Sequence, residues 1–289
     1  MKKIKVLNVD ITPLTKEQLN GEIRGSLKGK RILISKVNSE FLLRSLKSEE
    51  FATTLEKFDL NVADGIGVLW AAKYLSLPFL AKKSRITNFK LLITIEAVCQ
   101  MVYSGASLVF YPKYCRYPIP EAFRGVDMMH LMLDFAEKEK LSVYLFGAPK
   151  ETLEKTVENI RNDFKNILIA GSRNGYDFKD EEIVKAINDS GAEIIFVALG
   201  SPQQEYWIRD NISKLNSIKI AVGEGGSFNF IAGTYKRAPR WMRTLAIEWL
   251  WRLFANKNTT TTEKSRISRV WKAVPVFIYQ VVRFKLKNK

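Results

Sequence analysis

The chain has 289 residues, 46% of them hydrophobic, enough for one large globular unit or one unit with appendages. Its 46 Lys and Arg against 30 Asp and Glu give a formal charge of +16, which points to anionic partners: nucleic acid, acidic lipid or diphosphate-bearing substrates. Two cysteines, Cys99 and Cys115, give no disulfide framework, and one histidine, His130, without a Cys/His cluster argues against a transition-metal site.

No RNP-type aromatic motif or zinc-finger spacing accompanies the charge, so nucleic acid rests on charge alone. The N-terminal MKKIKVLNVDITPL alternates like a strand and lacks the apolar core of a signal peptide. Lys5 to Val9 reads as a first strand. Thr15 to Leu27 reads as a helix, with Thr15 as N-cap and Gln18 three residues on. Arg31 to Val37 is a second strand and Ser39 to Ser48 a second helix. Phe58 to Val62 is a third strand, closed by Ala63-Asp64-Gly65 before a helix from Ile66 to about Leu75. Further on, Val126 to Glu139 is a helix on which His130 simply sits. Ser142 to Phe146 is a strand, Lys150 to Phe164 a helix, Ile167 to Ala170 a strand and Glu181 to Asp189 a helix.

Two βα turns follow. Ile194 to Leu199 breaks at Gly200-Ser201-Pro202 into a helix from Gln203, and Ile218 to Val222 breaks at Gly223, Gly225 and Gly226. Strands alternating with helices in this way predict an α/β fold: an open, mainly parallel sheet with helices on both faces. Ligands of such sheets sit at the carboxyl ends of strands, where glycine turns and helix N-termini admit anions. Ordinary structural turns are the plainer account of either one alone. The adjacent pair, followed by Lys236, Arg237, Arg240 and Arg243, favours an anionic ligand. GEGGSF is not a dinucleotide fingerprint, which argues against a nicotinamide enzyme.

Two segments depart from this alternation. Phe89 to Tyr111 holds 23 residues, about 35 Å as a helix. Its ten Leu, Ile, Val and Phe side chains favour a bilayer by roughly 3–6 kcal/mol, while Glu96 near the middle costs about 3 kcal/mol. A single crossing would also place Asp64 and the later strands on opposite sides of the membrane. A helical hairpin or an in-plane segment, bent near Ser104-Gly105, fits better. Lys82, Lys83, Arg85, Lys113 and Arg116 would then face anionic headgroups. A buried soluble hairpin or an oligomer contact is the competing account. The second segment is the tail, residues 256–289, with nine Lys and Arg against one Glu, and Trp271, Phe277 and Phe284 interleaved. It reads as a basic amphipathic membrane-surface helix that Pro275 kinks, against a solvated tail or a helix packed on the core.

GSPQQEYW, GEGGSFNFIAG, KRAPRW and LAIEWLWR closely resemble the signature of the WecG/TagA/CpsF glycosyltransferases. The resemblance covers about residues 4–255, apart from Ser76 to Pro120, an insertion relative to that family. Such enzymes move an N-acetylhexosamine, typically N-acetylmannosamine from UDP, onto a lipid-diphosphate-linked sugar. The resemblance implies a Rossmann-like transferase domain over residues 1–255, a helical membrane-associating insertion and an appendage over 256–289. It implies work at the cytoplasmic face of the cell membrane in cell-surface polysaccharide synthesis. A UDP-sugar and a polyprenyl-diphosphate-linked acceptor would be partners, beside an anionic membrane surface. Nucleic acid would not be a partner, and homo-oligomerisation is left open.

Asp64 matches the family's proposed catalytic base in NVADGIGV; on its residues alone it reads as a helix N-cap. Asn38 and Glu40 match the family's N-x-E, where a turn amide is the plainer account of Asn38. Asp127 matches its G-x-D. Gln204 and Glu205 occupy the Q-E positions that hold donor sugar or uridine hydroxyls, although Glu205 with Arg209 would also make an i,i+4 surface pair. No DxD occurs, so no metal or other cofactor is expected. Arg237, Arg240, Arg243 and Arg252 are then the candidates to stabilise departing UDP in an inverting reaction. Two departures stand out. Lys36 replaces the family's threonine two residues before Asn38. Ala122 stands where the family has arginine, with Arg124 two residues on and therefore on the same face of an extended segment. These departures give support to a rival, a nucleotide-binding membrane adaptor that has lost turnover.

Overall fold

The computed structural model describes residues 2–80, 89–235 and 263–288, with Pro239, Met242 and Trp251 between the last two stretches. Arg237, Arg240, Arg243 and Arg252 therefore lie outside the described residues, as do Lys82, Lys83 and Arg85.

In chain order the elements are β1 (Ile4–Val6), β2 (Val9–Ile11), α1 (Lys16–Ser26), β3 (Ile32–Val37), α2 (Ser39–Ser45), α3 (Glu49–Glu56), β4 (Leu60–Ala63) and α4 (Ile66–Ser76). Next come α5 (Phe89–Phe110), a 3-10 turn (Pro112–Cys115), α6 (Gly125–Lys138), β5 (Ser142–Gly147), α7 (Lys150–Asp163), β6 (Leu168–Arg173), α8 (Asp180–Ser190) and β7 (Ile194–Ala198). The last are α9 (Gln203–Asn211), a second 3-10 turn (Ile212–Lys214), β8 (Ile220–Gly223), α10 (Ser227–Ile231) and α11 (Glu263–Lys287).

Six strands form one sheet in the order β4-β3-β8-β7-β5-β6, with every described pairing parallel. The central strands are buried on both faces, which is why β3, β7 and β8 read as near-continuous apolar runs. Alternate residues serve the two layers. Ile194 and Phe196 pack with α1, α6 and α7, while Ile195 and Val197 pack with α8 and α9. Helices thus cover both faces, as the alternation predicted.

Two local expectations need correction. Lys5 to Val9 is not one strand: β1 and β2 are antiparallel, with Val6 opposite Val9, and Leu7 turns the chain at φ 56°. Leu7 is fully buried, and Asn8 exchanges hydrogen bonds with Ser45 at the end of α2, so tertiary contacts override the alternation. The helix expected from Ser39 to Ser48 ends at Ser45, and a further helix, α3, was not expected. Ser48 caps a new helix, its Oγ accepting from Phe51 N at 3.2 Å. The capping box at Thr15 and Gln18 is present as read.

The apolar segment is one unbroken helix, α5, rather than a hairpin bent at Ser104-Gly105. Ser104 lies inside: Trp70 Nε1 donates to its Oγ at 3.0 Å, and Tyr74 Oη donates to Ala97 O at 3.2 Å. These bonds fix one face of α5 on α4. Glu96 accepts from Leu80 N at 2.7 Å and from Gln100 Nε2 at 3.0 Å, so its carboxylate is held on the protein side. Leu91, Ile95, Val98, Val102 and Val109, spaced as one helical face, remain exposed.

The tail helix runs without interruption through Pro275. Phe277 and Val281 are buried with α2, α4 and the β1–β2 hairpin. Lys285 Nζ donates to Tyr74 O and Gln100 Oε1, and sits 4.3 Å from the Tyr74 ring centroid. This part of the tail is packed on the core, while Val274, Val276 and Tyr279 stay exposed.

Candidate active site

A cavity of about 150 Å³ opens at the carboxyl ends of β3, β4 and β8. Each strand ends by delivering one wall. The end of β3 brings Lys36 and Asn38, the end of β4 brings Asp64, and the end of β8 brings the turn Gly223 to Gly226. Arg124, Gly125 and Val126, at the start of α6, form another wall, with Gln204, Ser227 and Phe230 completing it. A polar cavity at strand ends, beside a helix N-terminus, is where this class of sheet binds ligands.

Asp64 is set by backbone pairing. Its N–H donates to Val37 O at 2.7 Å, and Phe123 N donates to Ala63 O at 2.7 Å. The N-cap of α4 is Gly65, not Asp64, so capping does not explain the carboxylate. Asn38 does cap: its Oδ1 accepts from Glu40 N at 2.9 Å and Phe41 N at 3.1 Å, and the residue still lines the cavity. Arg124 is the extended residue before α6 and lines the cavity, whereas Ala122 packs against the cluster around α4. Asp127 lies in the first turn of α6, outside the cavity lining.

Gln204 fastens the two glycine turns together. Its Oε1 accepts from Gly225 N at 2.9 Å, and its Nε2 donates to Glu205 Oε1 at 2.6 Å. Gly223 is required by close approach: a Cβ there would meet Gln204 Nε2 at 2.8 Å and Glu205 Oε1 at 3.0 Å. Gly225 takes φ +52°, which a side chain disfavours. Glu205 is fully buried and makes no surface pair with Arg209, which bonds Asp210, Thr54 and Glu50 instead. Burial pushes the Glu205 carboxyl up to about 7, against the lowering effect of the Gln204 hydrogen bond. Glu205 and Gly200 are not part of the cavity lining.

Lys36 Nζ bonds the Glu224 carboxylate, and both side chains are buried. Burial holds the Glu224 carboxyl above its ordinary range, opposed chiefly by Lys36. Glu224, Ser227 and Phe230 were not singled out from the sequence, because nothing local marks a contact between residues 188 apart.

The family model for the glycosyl transferase WecG/TagA/CpsF family matches residues 4–101 and 95–289, nearly the whole chain. The chain belongs to this family. Its relatives include three N-acetylglucosaminyldiphosphoundecaprenol N-acetyl-beta-D-mannosaminyltransferases. That of Bacillus subtilis (strain 168) is 30% identical over 224 residues, 78% of this chain and 72% of the relative. That of Staphylococcus aureus (strain MRSA252) is 31% identical over 195 residues, 68% of this chain and 73% of the relative. That of Bacillus spizizenii (strain ATCC 23059 / NRRL B-14472 / W23) is 36% identical over 152 residues, 53% of this chain; the match spans 59% of that relative, less than two thirds of its length. The two stretches matched to the family overlap at residues 95–101, inside α5. Family membership makes the chain a glycosyltransferase.

Proposed function

We propose that this glycosyltransferase moves N-acetylmannosamine from its UDP donor to N-acetylglucosaminyl-diphosphoundecaprenol, in the synthesis of a cell-surface polymer. The observation that carries this reading is the convergence of Asp64, Asn38, Arg124 and the Gly223 to Gly226 turn on one cavity at the strand ends. The names of the relatives support the transferred sugar and the acceptor, and the UDP of the donor is proposed from the family resemblance.

In this reading the Asp64 carboxylate takes the proton from the acceptor hydroxyl as its oxygen attacks the anomeric carbon. The bond from that carbon to the diphosphate oxygen breaks, and the electron pair leaves with UDP. Attack opposite the leaving group inverts the anomeric centre. Arg124 and the N-terminus of α6 bring positive potential to the cavity. Arg237, Arg240, Arg243 and Arg252 are proposed from the family resemblance to complete the anion site, so that no metal is required.

The lipid acceptor calls for a membrane surface. Along α5 one apolar face is exposed, and only 22% of the helix's most apolar stretch is buried against the protein. At its end Phe110, Tyr111 and Tyr117 are exposed beside exposed Lys113 and Arg116. Aromatic rings mixed with cations suit a headgroup layer, and we place α5 in the plane of the cytoplasmic leaflet.

The test is a transfer assay with purified protein, UDP-N-acetylmannosamine and a short-chain polyprenyl-diphosphate N-acetylglucosamine, with and without EDTA. Disaccharide-lipid should form only when both substrates are present and should be insensitive to chelation. Abolition by EDTA with rescue by manganese refutes the metal-free mechanism.

A further inference from the structure

The floor of the cavity carries a charge pair whose chemistry the reaction above does not use. From the sequence Lys36 stands out only as a departure, a lysine where the family has threonine. The structure gives that cation a partner. Its Nζ contacts the Glu224 carboxylate, Gly125 O at 3.3 Å and Ser227 Oγ at 3.3 Å. An ammonium has three N–H donors, and these contacts occupy all three. The Glu224 side chain is fully buried. Its Oε2 takes Lys36, while its Oε1 has no hydrogen-bond partner among the described residues. Both residues line the cavity with Asp64 and Asn38. Gly125 lets them approach, since a Cβ there would meet Ser227 Oγ at 3.1 Å and Lys36 Nζ at 3.7 Å.

We propose that Lys36 and Glu224 form a sugar-recognition subsite, in which Glu224 Oε1 accepts a hydrogen bond from a hydroxyl or the N-acetyl N–H of the donor hexosamine. The proposal rests on the UDP-sugar reading above and specifies the part of the donor that this wall meets. A buried carboxylate oxygen without a donor is costly, so a ligand group that can donate is favoured there. A phosphate oxygen has no proton to offer and is repelled by Glu224. With Lys36 neutralised, the floor therefore selects the uncharged end of the donor. Its position beside Asp64, which must reach the anomeric carbon, agrees with that assignment.

The test compares the affinities of UDP and UDP-N-acetylmannosamine by titration calorimetry. The double variant Lys36→Met/Glu224→Leu removes both charges at similar volume, a replacement that buried ion pairs commonly tolerate. The ratio of the sugar-nucleotide Kd to the UDP Kd should rise about 10- to 100-fold, with UDP itself changed less than about threefold. An unchanged ratio, or equal losses for both ligands, overturns the subsite. If thermal unfolding shows the double variant to be misfolded, Glu224→Gln carries the test. Its neutral oxygen is a weaker acceptor, so the ratio should rise about tenfold, and tighter UDP binding with no change for the sugar nucleotide would assign Lys36 to phosphate and overturn the proposal. Wild-type protein that binds neither ligand refutes the donor reading and the subsite with it. Wild-type binding with an unchanged ratio refutes the subsite alone.

Discussion

At the scale of single residues, the site depends on charges held away from water. Glu205 is the case with a measurable pH signature. Its carboxyl, ordinarily at 4.5, is raised to about 7 by burial. The folded state therefore holds this proton more tightly than the unfolded chain does. The resulting stabilisation is full below pH 4.5 and is lost as pH rises through 7. Glu205→Gln keeps an oxygen for the Gln204 amide and has no proton to lose. Its stability relative to wild type should increase between pH 5 and 8, by on the order of 3 kcal/mol, in chemical denaturation. Parallel pH profiles would show that Glu205 is not titrating in this window. The sequence placed Gln204 and Glu205 in the right turn, but their burial was not legible. Periodicity set Glu205 four residues before Arg209, and Arg209 has nearer partners in Asp210 and Thr54. Lys36 was legible as a departure, yet its meaning lay in Glu224, far away along the chain.

At the scale of elements, the apolar helix lacks the expected bend, and part of the tail is packed on the core. The face of α5 formed by Leu91, Val98 and Val102 touches little protein. Replacing all three with Gln should change folding stability by less than about 0.5 kcal/mol per site. If α5 lies in the membrane, the same variant should lose vesicle binding by about tenfold or more, in 1 M salt as well as in 0.1 M, because apolar transfer is not screened. Flotation equal to wild type would remove α5 from the membrane account. The tail makes the reverse prediction. Phe277 is buried 6.1 Å from the Trp70 ring centroid. Phe277→Ala should destabilise the fold by about 3–5 kcal/mol, the usual effect of emptying an aromatic core site. An unchanged denaturation midpoint would show that the tail does not depend on this packing. Basic amphipathic composition described α11 correctly as a helix. It could not reveal that one face, with Lys285, is docked on α4 and α5, because a buried lysine looks like any other in a charged tail.

At the scale of the whole molecule, the parallel sheet was readable because its central strands are apolar on both faces and end in glycine turns. The β1–β2 hairpin was not, since contacts from elsewhere decide it: buried Leu7, and Asn8 on Ser45. The start of α3 is set by the local Ser48 cap, a signal that the reading of one helix from Ser39 to Ser48 passed over. The same parallel order brings the ends of β3, β4 and β8 together, and so assembles Asn38, Asp64 and the Gly223 turn, which are far apart in sequence. The central claim is that this cavity performs the transfer with Asp64 as its base. Asp64→Asn preserves shape and removes the proton acceptor. Turnover of UDP-N-acetylmannosamine with the lipid-linked acceptor, measured beside UDP affinity, should fall about 10²–10⁴-fold with UDP binding nearly unchanged. Wild-type turnover in this variant would contradict the account.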